Sequence, residues 1–180
     1  MTQYATLDGT SDSGGWTGSG GGAIHLDADT TTAGSDYIQG EVSFDSAPVG
    51  PAIFTLSDVT DPESASDHKI KYTALASAGG MGFGGPPDLT IALYEGTTSP
   101  NGGLRHTTTQ GVSAYAITEY TITLSGGEAN NISDYDNLQL QVINTGSGMG
   151  DNIKIYNMYL EVPDASAAAT TGPAFLLFVD

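Results

Sequence analysis

The chain has 180 residues, with 21 acidic against 4 basic side chains and a formal net charge of −17. A surface of that sign repels phosphate backbones and anionic membranes, which argues against nucleic-acid and membrane-surface binding. Cysteine is absent, so disulfide and thiol chemistry are excluded, and the 25 glycines favour turns and strands over long helices. The length suits one domain with a sizeable core. The longest apolar run, Ala174–Val179, falls far short of the ~20 residues that a helix needs to cross a bilayer. The opening MTQYATLDGTSDSGG has neither a basic region nor an apolar run, so no secretory signal is expected and synthesis in a cytoplasm is.

Gln3–Leu7 reads as a first short strand, followed by the glycine-rich connection GTSDSGGWTGSGGG with the only tryptophan, Trp16. A tryptophan there serves either to plug one end of a sandwich or to stack on a sugar ring, and the plug is the preferred reading. Ala23–Leu26 and Asp36–Phe44 read as strands, and Pro51–Leu56 as another that opens on a proline. The acidic loop SDVTDPESASD precedes a strand over His68–Ala76, whose Lys69 and Lys71 share one wet face, read as local charge balance beside that loop. AGGMGFGGPP contains a Gly-x-Gly spacing, but a strand follows it, so it lacks the helix N-terminus that a phosphate cradle needs.

Asp88–Glu95 places Leu89, Ile91 and Leu93 on one face, and Leu104–Thr109 should pair with it. Glu119–Leu124 alternates Tyr120, Ile122 and Leu124. Ser125 and Glu128 have capping-box spacing, which predicts one or two helical turns leading to Asp134. Leu138, Leu140 and Val142 alternate with Gln139 and Gln141, and a second strand covers Ile153–Val162; the turn-rich connection between them suggests a hairpin. Ile153 and Ile155 have the opposite parity to Met158, Leu160 and Val162, which predicts a bulge near Tyr156. Some nine or ten short strands separated by turn signals make an all-β, jelly-roll-like antiparallel sandwich over residues 1–163. Pro163 closes the last strand, and 164–180 form a flexible linker and an apolar C-terminal arm, Phe175, Leu176, Leu177, Phe178 and Val179.

Signs of chemistry are sparse. His25, His68 and His106 have no spacing that would gather a metal. The acidic pairs Asp27/Asp29, Asp58/Asp61/Glu63 and Asp134/Asp136 offer oxygens to calcium but match no EF-hand loop, so no cofactor is expected. No strand carries a Glu-x-Asp-x-x-Glu pattern and no Gly-x-Ser-x-Gly elbow is present, so the chain is not expected to be an enzyme.

The succession GGWT (14–17), SDYI (35–38), LSDVTDPESASDHKIKY (56–72), DLTIALYEGTT (88–98), YTITLSGGEANNISDYDNLQLQV (120–142) and LEVP (160–163) resembles β-sandwich virion proteins of tailed, especially marine, bacteriophages. That resemblance implies a non-enzymatic capsid decoration (cement) protein on the virion surface. Its partners would be the major capsid protein and neighbouring copies of itself, in a homo-oligomer such as a trimer. The apolar run Phe175–Val179 would be the attachment arm, since five such residues left exposed in so acidic a protein invite burial. The alternative is a carbohydrate-binding module or a host-surface-binding fibre protein, with Trp16 and loop tyrosines stacking on sugar rings.

Overall fold

Residues that alternate dry and wet must find a second dry face, and two sheets packed face to face supply it. The computed structural model describes residues 2–20, 22–42, 49–77, 87–96, 103–146 and 151–165. They form a jelly-roll-like antiparallel β-sandwich, as the patterning predicts. The strands are β1 (Thr2–Asp12), β2 (Thr17–Gly18), β3 (Ile38–Glu41), β4 (Ala52–Leu56), β5 (Lys69–Ser77), β6 (Asp88–Glu95), β7 (Gly103–Gly111), β8 (Thr118–Thr123), β9 (Leu138–Asn144) and β10 (Asn152–Pro163). Among the described residues, no helix is long and apolar enough to cross a membrane. The predicted arm, Phe175–Val179, lies outside the described residues.

Sheet one is built on β10. One of its edges pairs with β5 along its length, and β5 pairs in turn with β8. The other edge pairs with β3 over Asn152–Ile155 and with the first half of β1 over Tyr159–Pro163. Between them, Met158 N donates to Ala28 O. Sheet two runs from the second half of β1 through β4, β9 and β6 to β7. β1 thus belongs to both sheets, crossing over near Leu7 with a register shift between Leu7 and Gly9.

The core forms where the two dry faces meet. Ile38, Ile70, Tyr72, Ile153, Ile155 and Met158 from sheet one meet Phe54, Leu89, Ile91, Leu93, Leu138 and Leu140 from sheet two, all fully buried. Each such side chain contributes roughly 1.5–3 kcal/mol by leaving water. Tyr72 stacks on Tyr120 at 4.9 Å, and its hydroxyl donates to Gln110 Oε1 on β7, which ties the sheets together. Burial pushes its phenol pKa up, so it stays a neutral donor.

Several expectations hold in detail. The register of β10 against β5 shifts between Ile155 and Asn157, which makes Tyr156 the bulged residue and switches the buried parity from Ile155 to Met158. The helix α1 (Gly126–Asn130) carries a complete capping box: Ser125 Oγ accepts from Glu128 N, and Glu128 Oε2 accepts from Ser125 N.

Two expectations are corrected. The segment Ile24–Asp27, within the predicted strand Ala23–Leu26, is a 3-10 helix. Gly20 N donates to Asp27 Oδ2 across it, and four residues without a long partner strand gain more from local bonds than from a ladder. β9 and β10 do not form a hairpin. β9 lies between β4 and β6 in sheet two, whereas β10 anchors sheet one. Pairing them side by side would leave both dry faces pointing the same way. Placing them in opposite sheets turns those faces toward each other, and Asn144 Nδ2 holds the crossing by donating to Gly40 O and Asp151 O.

Candidate functional site

Because the inner parity of sheet two is packed with aliphatic side chains, its outer parity faces out, and the strand register fixes who stands beside whom. One row across β4, β9, β6 and β7 reads Thr55, Gln139, Tyr94, Leu104. The next reads Ile53, Gln141, Ala92, Thr107, and a third reads Ile143, Thr90, Thr109. Strands lie about 4.8 Å apart and alternate residues about 6.7 Å apart, so the panel covers roughly 14 by 13 Å. These rows hold no Asp, Glu, Lys or Arg within the four strands; acids stand at the margins, Asp12 of β1 beside Ile53 and Asp88 two residues before Thr90 on β6.

The chemistry of this panel is that of a surface for neutral hydroxyls. Gln139 and Gln141 each offer an amide that both donates and accepts. Tyr94 supplies a half-buried ring, Ile53 and Ile143 supply apolar edges, and Thr90 Oγ1 and Thr109 Oγ1 pair at 2.7 Å. Ala92 forms the floor at 3% exposure. Gln139 Oε1 is buried and has no hydrogen-bond partner among the described residues.

One end of the panel is held rigidly. The register of β6 against β7 shifts between Leu93 and Tyr94, which sets Leu104 beside Tyr94 and lets Arg105 Nε reach Glu95 Oε2 at 3.1 Å. Ser133 Oγ and N donate to the same carboxylate at 2.6 and 2.8 Å. Burial pushes the Glu95 carboxyl up, but the bonds from Arg105 and Ser133 outweigh it and hold the pKa at about 2. Glu128 is likewise held at about 2, by Ser125 first and then by His106, whose Nδ1 lies 2.7 Å from Glu128 Oε1. These carboxylates are structural clasps, each saturated by protein donors.

The residues singled out from the sequence fall elsewhere. Trp16 is a plug and not a platform: it is 2% exposed and its Nε1 donates to Gly50 O. Its ring lies so close over Gly40 that a Cβ there would come within 2.6 Å of it. The histidines stay apart, His25 beside Thr10, His106 beside Glu128, and His68 in the core. His68 Nδ1 faces Ser66 O, an acceptor only, so Nδ1 carries the proton and Nε2 accepts from Tyr135 OH at 2.7 Å. Burial lowers its pKa, in keeping with a neutral ring.

The acidic loops do converge: Asp58 and Asp61 face Asp134 and Asp136 across an open cleft of about 540 Å³ that Gln3 and Tyr135 also line. Among the described residues, no group of three or more His, Asp or Glu is placed to hold a metal ion. Gln139, Gln141 and Tyr94 were not singled out as a site from the sequence. The alternation of glutamine with aliphatic residues in β9 was the available signal, because an outward strand face in so acidic a chain would ordinarily carry charge.

No protein-family model matches the chain, and neither does any curated protein sequence. Solved structures do share its fold. A xylan-binding module, CBM15, superposes with a TM-score of 0.52 at 14% identity, covering 92% of this chain and 99% of that one. A CBM4 structure gives a TM-score of 0.45 at 17% identity over 82% and 94% of the two chains. The CBM22-1 xylan-binding domain of Paenibacillus barcinonensis Xyn10C gives 0.41 at 11% identity over 92% and 95%. The fold is therefore a jelly-roll sandwich of the kind found in a xylan-binding module. This corrects the capsid-decoration expectation: the structure that superposes at a TM-score of 0.52 is a xylan-binding module, not a virion component.

Proposed function

We propose that this chain is a non-catalytic carbohydrate-binding module that holds a neutral polysaccharide on the outer face of sheet two. The observation that carries the reading is the uncharged Gln139–Gln141–Tyr94 patch in a chain of net charge −17. Sugar rings present apolar C–H faces and hydroxyls that both donate and accept. The tyrosine ring and the isoleucine edges suit the first, and the glutamine amides and threonine hydroxyls the second. The fold shared with a xylan-binding module supports the same reading.

The test is affinity electrophoresis and titration calorimetry of the full chain with soluble xylan, hydroxyethylcellulose and glucomannan. Retardation by at least one of them is expected. The double variant Tyr94→Ala/Gln141→Ala should bind at least about thirtyfold more weakly, the scale of a central contact worth ~2 kcal/mol. Absence of binding to every neutral polysaccharide tried, or binding that the double variant leaves intact, would overturn the proposal.

A further inference from the structure

The opposite face of the molecule has a different chemistry that the proposed function does not use. The outer parity of sheet one carries Lys69 and Lys71 on β5 and Lys154 on β10, three of the four basic residues in the chain. Lys69 and Lys71 both reach Glu161, at 3.2 and 3.0 Å, so one carboxylate answers two ammonium groups. Lys154 Nζ lies 4.2 Å from the centre of the Tyr37 ring. Each cation group has an edge-to-face tyrosine pair beside it: Tyr4 with Tyr159 and Tyr37 with Tyr156, both at 5.6 Å. Tyr4 is half exposed.

Glu161 takes one N–H from each of the two lysines, so both ammonium groups keep further donors. Glu119 and Glu41 also stand on this parity, which makes the face nominally neutral while the surplus of negative charge lies elsewhere. At its centre, Asn157 is 4% exposed and its Oδ1 has no hydrogen-bond partner among the described residues.

We propose that the outer face of sheet one is a second binding site, for an anionic polysaccharide whose sugar units bear carboxylate or sulfate. A ring stacks on Tyr4 beside Tyr159, and its anionic group takes the remaining N–H donors of Lys69 and Lys71. Tyr159 and Lys154 are five residues apart on β10, about 16 Å in a strand, so the two tyrosine–lysine groups suit a chain rather than a single sugar. Charge divides the two faces between two ligand classes. The panel on sheet two offers an anion no cation, and sheet one offers it three.

The experiment is affinity electrophoresis of the full chain with polygalacturonate, with dextran sulfate and with uncharged dextran, at an ionic strength of about 0.15 M. There the Debye length is about 8 Å and the distant acidic loops are largely screened. One or both anionic polymers should retard the protein and dextran should not; which of the two acts more strongly identifies carboxylate or sulfate. Lys69→Ala/Lys71→Ala should weaken that binding about tenfold or more, and Lys71→Arg should retain it. Tyr94→Ala/Gln141→Ala should leave it unchanged, so failure here and failure of the neutral-glycan reading are separate results. If the double lysine variant does not fold, Lys154→Ala tests the second cation of the same face, with the same expected loss. No retardation by either polymer, equal retardation by dextran, or binding indifferent to the lysines would overturn the proposal.

Discussion

The two outer faces of this sandwich share one core and differ in almost everything else. Sheet one shows tyrosine pairs, three lysines and the Glu161 bridge; sheet two shows a patch of glutamine, threonine and one tyrosine with no cation, and acids only at its margins, Asp12 and Asp88. A core requires only that inward positions be apolar, so each outward face is free to take its own chemistry. The contrast teaches that net charge describes the loops of this protein better than its sheets. An acidic protein repels anions on average, but its local response depends on which face an anion meets.

The largest change that bears on the contrast is one that should erase it. Phe54→Ala removes a fully buried ring at the centre of the shared core, and a cost of about 3–5 kcal/mol is expected in urea denaturation. Because both sheets lean on that ring, ligand binding at the two faces should fall together as the folded fraction falls. Loss at one face alone would show that the sheets are not coupled through the core.

A smaller effect should touch only the end of sheet two. Glu95→Gln replaces a carboxylate that accepts from Arg105 and Ser133, at an expected cost of about 1.5–3 kcal/mol at neutral pH. Its folded-state pKa is depressed, from an ordinary 4.5 to about 2, so its contribution is complete above pH 4.5 and is lost as pH falls toward 2. The gap in stability between the parent and Glu95→Gln should therefore shrink across that window. A gap that stays constant from pH 6 to pH 2 would show that the carboxylate is not the source.

The smallest effect sharpens the reading of sheet one. Lys71→Ala should cost about 1 kcal/mol of stability in urea denaturation, because Glu161 keeps Lys69 as a partner, while its effect on anionic polymers is part of the tenfold loss expected of the double variant. A stability loss well above that value would make the lysine–Glu161 bridge a structural device and not a ligand contact.

Most features set by period and local chemistry were legible in the sequence, the segment Ile24–Asp27, expected as strand and folded as a 3-10 helix, being an exception. Strand β6 runs from Asp88 to Glu95 as its alternation predicts, because both its pattern and its bounds are local. The parity change around Tyr156 foretold the bulge, since a strand that switches faces needs an extra residue. Ser125 and Glu128 foretold the cap, which is a bond between residues three apart.

Tertiary structure alone decided the rest. The alternation of β9 and β10 shows that each has one dry face but not whether they lie side by side or face to face, and here they face each other. Gln139, Tyr94 and Thr55 became neighbours through pairing among β4, β9 and β6, and Glu161 met Lys69 and Lys71 across 92 positions in the first case. Local periodicity sets which way a side chain points. Who stands beside it depends on strand order and register, which minimise exposed apolar surface over the whole chain and leave no mark in any one stretch of it.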